Sequence, residues 1–167
     1  MIAVSSMLAL YAQNSSANNP QRCLTAIKLA IRYSLISQLA IYLVIAIAAP
    51  YIATLFSDDA VVIGHLSLYL YIIPASFAMQ GIMMAVASSL NGFNRPMSAL
   101  SLSVLRSLLI ISLSSIGGYY YGEKGIFFGI ASANVLVGLL ALYYAQQLQN
   151  ELRNELGDQL ENELQLK

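Results

Sequence analysis

The amino-acid sequence predicts an all-α membrane protein, a polytopic transmembrane helical bundle of about four full spans plus a partial N-terminal helix. Three observations carry this. Hydrophobic residues make up 58% of the 167 and charged residues only 10%, far under the roughly 25% of a soluble domain, so the chain lacks the polar surface to face water on every side. From Ala60 to Asn94 no side chain bears a formal charge, and His65 is the one imidazole; about 20 apolar residues are enough to cross a ~30 Å hydrocarbon core. Apolar runs of the same kind stand on either side of that stretch, separated by short polar breaks.

The elements follow in order. Residues 1–12 are apolar but rise only ~18 Å as a helix, too little to span, and they read as the end of a helix. No lysine or arginine precedes them and Leu10-Tyr11-Ala12 is a poor cleavage site, which argues against a signal peptide. Gln13 to Gln21 is a break dense in turn formers. Arg22, Lys28 and Arg32 mark an amphipathic entry to the first full span, about 33–56, which Pro50 is expected to kink near its far end. Ser57-Asp58-Asp59 makes a turn and an N-cap, with carboxylates at the positive end of the next helix. The second span, about 60–90, is longer than a bilayer requires and must tilt or bend, with Pro74 and Gly81 as the places to do so. Asn91 to Pro96 forms the next turn, and the third span covers about 97–121. Gly122-Glu123-Lys124-Gly125 is a hairpin turn into the fourth span, about 126–146, whose Gly125, Gly129 and Ala133 give a face of small residues for close helix packing.

The remainder, 148–167, is a different material. Leu148, Leu152, Leu156, Leu160 and Leu164 recur every four residues among five acidic and two basic side chains. This draws a drifting stripe on a helix. It predicts an amphipathic acidic cytoplasmic tail, a solvated extension that frays near Gly157; a short coiled coil or partner-binding helix is the alternative.

Cations sort the turns by side. Arg22, Lys28, Arg32, Arg95, Arg153 and Lys167 fall on one set of breaks, and Lys124 alone falls on the other, beside Asp58, Asp59 and Glu123. Lysine and arginine collect on cytoplasmic loops, so the Arg95 turn and the C-terminus are expected inside an inner (plasma) membrane. A formal net charge of zero gives no electrostatic case for nucleic acid, and a single cysteine, Cys23, forms no internal disulfide or metal spacing. One histidine and no carboxylate in any span leave no set of nucleophile, base and metal ligands, so neither an enzyme nor a cofactor is expected.

Polar groups at membrane depth are costly and point to function. Arg106, inside the third span, either pairs with a carboxylate elsewhere in the protein or snorkels to a lipid phosphate. Gln80 and Asn134 either line a cavity or hydrogen-bond a neighbouring helix. Met79 and Met83 beside Gln80 suit a pocket for varied apolar ligands, or equally an ordinary helix core. Arg95, Arg106, Pro74 and Asn91 are expected to set orientation and shape the loop rather than contact solute.

The order of these segments resembles the C-terminal half of the multidrug and toxin extrusion (MATE) transporters, near their NorM-like branch. Tyr11-Ala12-Gln13-Asn14-Ser15-Ser16-Ala17 is similar to the break after the second helix of a lobe, with Ser16 where a glycine is usual. Leu55-Phe56-Ser57-Asp58-Asp59, Asn91-Gly92-Phe93-Asn94-Arg95-Pro96 with Arg106 behind it, and Gly125-Ile126-Phe127 with Asn134 and Gly138 match later family turns and helices in order. The proline common midway along the helix holding Leu113 is absent, as is the carboxylate that some Na⁺-coupled members carry in the helix matching Tyr69 to Leu90. Residues 1–147 then correspond to part of one lobe. The resemblance implies an antiporter expelling organic cations or drugs against an H⁺ or Na⁺ gradient, with Gln80, Met79, Met83 and Asn134 as cavity candidates. The coupling ion would bind outside this chain, and the facing N-terminal lobe would come from elsewhere or from a partner chain. A non-transporting membrane scaffold and a lipid-linked saccharide flippase of the same superfamily are the alternatives.

Overall fold

A computed structural model describes residues 20–165, and the expected partial helix at 1–12 with most of the break after it lies outside them. Three helical runs account for the described chain: α1, Pro20–Phe56; α2, Ala60–Gly92; and α3, Pro96–Gln165. All three are long and apolar enough to cross a bilayer. The third is folded back at Gly122, whose φ of 61° and ψ of −144° break the helix. That pair of angles is open only to glycine without strain. The two limbs, 96–121 and 123–165, bring the number of membrane-length rods to four.

Local chemistry sets the ends. A proline in the first turn of a helix forfeits no hydrogen bond, and α1 starts at Pro20. It is therefore one helix of 37 residues in which the basic entry and the span are continuous, and it runs on through Pro50. Asp59 caps α2, its carboxylate accepting from the Val61 N–H at 2.8 Å, and α2 passes through Pro74 and Gly81 without interruption. At its far end Asn91 and Gly92 belong to the last turn, not to the loop. The Asn94 N–H reaches the Asn91 carbonyl at 3.1 Å and the Arg95 N–H reaches the Leu90 carbonyl at 2.8 Å. With Asn94 at a φ of 58°, these two bonds close a Schellman cap.

Helix register follows from close approaches. Along α2 and the second limb of α3, His65 meets Glu123, Tyr69 meets Phe127 and Ser76 meets Asn134, all at an offset of 58 residues. These two rods are parallel. The limbs of α3 are antiparallel and nearly touch where the small-residue face predicts it: a Cβ on Gly125 would collide with the Gly117 carbonyl, and one on Gly129 would strike the Leu113 backbone. Ile82, Val86 and Leu90 of α2, Ala99 and Leu102 of the first limb, and Val137, Ala141 and Ala145 of the second form the main core. Outward faces are apolar, as with Ile36, Val44 and Ile47 on α1 and Leu108 and Ile111 on α3, which suits lipid as solvent.

The beginning of the tail is packed, not solvated. Helix continues through Gly157 to Gln165, and Leu148 and Leu152 are buried on Ile27 of α1, with Leu24 and Phe93 beside them. Their leucine stripe finds its partner within the same chain.

Candidate functional site

The first limb of α3 presents Ala99, Leu102, Arg106, Leu109 and Leu113 toward the bundle; the first two are buried and the rest partly so. This is the i, i+3, i+7 spacing of one helix face, and Arg106 is the cation within it. Its Nε–H donates to Asn134 Oδ1 at 3.0 Å. Asn134 Nδ2 donates to Ser76 Oγ at 2.8 Å, and the Ser76 hydroxyl donates to the Ile73 carbonyl at 2.7 Å. Asn134 is 1% exposed and Ser76 4%.

The direction of this seam is fixed by its own chemistry. Ser76 has one hydroxyl proton, committed to Ile73, so it can only accept from Asn134. The amide must therefore turn its NH₂ to Ser76 and its oxygen to Arg106, satisfying a buried side chain that would otherwise cost several kcal/mol in hydrocarbon (~2–7). The seam joins α2 and both limbs of α3 about ten residues, or ~15 Å, inside the ends at Pro96 and Glu123.

Of the sequence-predicted residues, Asn134 and Arg106 meet directly. Met83 lies in the main core, and Met79 packs against it with its carbonyl and Cβ on Gly138, where an added Cβ would come within 2.9 and 2.7 Å of them. Gln80 is half-buried, one turn beyond Ser76. Pro74 is buried, and Asn91 is exposed in the Schellman turn. Arg95 grips Glu151 with both terminal nitrogens, at 3.2 and 2.7 Å, tying the α2–α3 turn to the tail. Ser76 and Glu151 were not singled out from sequence. Ser76 looks like any other small hydroxyl in an apolar run, whereas the acids among the tail leucines were a signal that Arg95 could have a partner there.

At the opposite end, His65 Nδ1 lies 3.1 Å from Glu123 Oε2, over a cleft of about 460 Å³ shared with Val62, Leu66, Tyr69 and Phe127. A second cleft of about 570 Å³, lined by Leu113, Ile116, Tyr121 and Phe128 with Lys124 among them, opens beside the close glycines. Among the described residues no cluster of histidine, cysteine or carboxylate is arranged to hold a metal.

A multi-pass bundle of this register, with polar side chains crossing it at depth, is the architecture of a polytopic helical membrane protein. Residues 1–124 match the model of the MatE family, and the chain belongs to that family. It is 35% identical over 149 residues to a protein of Shewanella oneidensis named "FAD transporter", covering 89% of this chain and 33% of that protein. The bent form of the Vibrio cholerae MATE transporter VcmN superposes with a TM-score of 0.73 at 27% identity, over 83% of this chain and 32% of that one. An inward-facing multidrug resistance MATE family transporter of the MOP superfamily shares the fold with a TM-score of 0.82 at 20% identity, over 90% of this chain and 36% of that one. The chain thus spans about a third of the length of each of these relatives.

Proposed function

We propose that the chain forms part of one lobe of a solute exporter, working as a near-rigid wall against a facing lobe supplied by further helices or by a partner chain. The observation that supports it is the polar seam of Arg106, Asn134 and Ser76, which bolts three membrane-length rods together at mid-depth. Lobes of such transporters rock as bodies around a central site, and a lobe held only by apolar contacts in lipid would have weaker internal ties. The solute is a flavin nucleotide, in line with the relative named for FAD transport. The adaptable methionines and the solved multidrug relatives favour a second reading, efflux of organic cations or drugs. Either solute would be driven out by an H⁺ or Na⁺ gradient, and no carboxylate of this chain lies within a span to bind the coupling ion. The Arg95 turn and the tail face the cytoplasm of the inner membrane, following the cation count.

The test is export from cells making this chain with and without the remaining helices of the fold. FAD in the medium rises only when both are made. Ethidium efflux without FAD export would transfer the assignment to organic cations, and export by the chain alone would refute the need for a facing lobe.

A further inference from the structure

We infer that Arg106 is the phosphate-holding residue of the solute path, which makes it the determinant that selects phosphorylated over neutral solutes; this rests on the flavin-nucleotide reading above. A guanidinium carries five N–H donors in a planar fork. The Nε–H of Arg106 is taken by Asn134, which leaves the two Nη groups at the free edge of the fork, the arrangement that binds a phosphate through two parallel hydrogen bonds. Asn134 is itself pinned by Ser76, so the fork is oriented before any ligand arrives and less freedom is lost on binding.

Charge at this depth decides the class of ligand. Among the described residues no carboxylate lies within ion-pair distance of Arg106; the ion pairs there are His65–Glu123 and Arg95–Glu151. Within the four expected spans, 33–56, 60–90, 97–121 and 126–146, it is the one formal charge. An uncompensated cation in a medium of low dielectric draws an anion and repels a cation. Two sources could supply a phosphate, a lipid headgroup or a soluble solute. The hydrogen bond to Asn134 holds the guanidinium ~15 Å from the Pro96 end of one limb and from the Glu123 end of the other, well below the headgroups, and Arg106 stands on the bundle-facing stripe with Leu102 and Leu109. Both facts favour the solute. Arg106 is only partly buried, so the side chain is not closed off from a ligand.

The experiment uses the full chain made together with the remaining helices of the fold, in phosphatidylcholine nanodiscs containing one-fifth phosphatidylglycerol, with riboflavin, FMN and FAD as fluorescent probes and pyrophosphate followed by calorimetry. Wild type should bind FMN and FAD at least tenfold more tightly than riboflavin. Arg106→Gln should bring that ratio close to one, and Arg106→Lys should restore part of it; a purely structural role would weaken all three flavins together and would overturn the inference. A ratio unchanged in Arg106→Gln would also overturn it while leaving the flavin reading intact. Arg106-dependent binding of pyrophosphate with no flavin bound would uphold the phosphate site and refute the flavin solute, and no binding of any probe would refute both. Native mass spectrometry separates the lipid source: loss of retained phosphatidylglycerol in Arg106→Gln, with the flavin ratio unmoved, would assign the fork to a headgroup and overturn the solute assignment.

Discussion

At the scale of single residues, the seam shows how a buried amide can be decisive without catalysing anything. Asn134→Leu keeps the branched side chain of four heavy atoms but deprives Arg106 Nε of its acceptor and Ser76 of its donor. Interhelical hydrogen bonds in lipid contribute roughly 0.6 kcal/mol each, up to about 1.7. The expected loss is therefore about 1–2 kcal/mol in thermal unfolding of the detergent-solubilised protein, larger than that of Ser76→Ala, which breaks one interhelical link and the bond to the Ile73 carbonyl within α2. A Ser76→Ala penalty equal to or above that of Asn134→Leu would show that the amide is not the centre of the network. The Arg95–Glu151 pair is held by two hydrogen bonds but is about half exposed; Glu151→Gln should cost no more than about 0.5 kcal/mol, and less at high salt. Arg106 and Asn134 were legible as residues worth a partner because polarity in an apolar run is conspicuous. That they are each other's partner was not, since a separation of 28 residues has meaning only once the hairpin at Gly122 is known.

At the scale of elements, glycines decide where the rods can lie, and two substitutions separate backbone from packing. Gly122 has open space where a Cβ would go and a φ of 61°, so Gly122→Ala acts through the backbone alone and should cost about 1–3 kcal/mol. Gly138→Ala meets the Cβ, Cε and carbonyl of Met79 between 2.7 and 2.9 Å, a loss of about 1–3 kcal/mol by overpacking. Combining it with Met79→Ala should recover only a part, because the Cβ and the carbonyl remain; full recovery in the double variant would show that the methionine's flexible end is the whole obstacle. Apolar length and turn chemistry made the rods and the Asp59 cap readable, whereas the start of the first helix at Pro20 and the run of the last limb past residue 146 were not. The left-handed residue of the Arg95 turn was less so: Asn94 takes it, and not the neighbouring Gly92, because the cap is set by which carbonyls remain unpaired at Asn91 and Leu90. The tail deceived for a related reason. A four-residue leucine stripe states that one face wants cover, but says nothing about whether water, another protein or Ile27 of the same chain provides it.

At the scale of the whole molecule, the unequal ends make a topology that can be tested. Arg22, Lys28, Arg32, Arg95 and Arg153 gather at one end and Lys124 alone at the other. Transfer of the basic end across the membrane is disfavoured, so the proposed orientation has Asp58, His65 and Glu123 outside. In a Cys23→Ser background, Asp58→Cys and Asn91→Cys place one exposed thiol in each turn of α2, leaving the Asp59 cap and the left-handed Asn94 untouched. A membrane-impermeant maleimide should label Asp58→Cys on intact cells and Asn91→Cys only after permeabilisation. The outcome bears on transport as well as on orientation. The clefts of about 570 and 460 Å³ both lie toward the Glu123 end of the bundle, while Arg95, Glu151 and the Ile27–Leu148–Leu152 contact bind the other end together. On the proposed orientation, with Glu123 outside, the cleft-bearing end faces away from the cytoplasm and the Arg95–Glu151 end faces it. Labelling of Asn91→Cys from outside would overturn the proposed orientation.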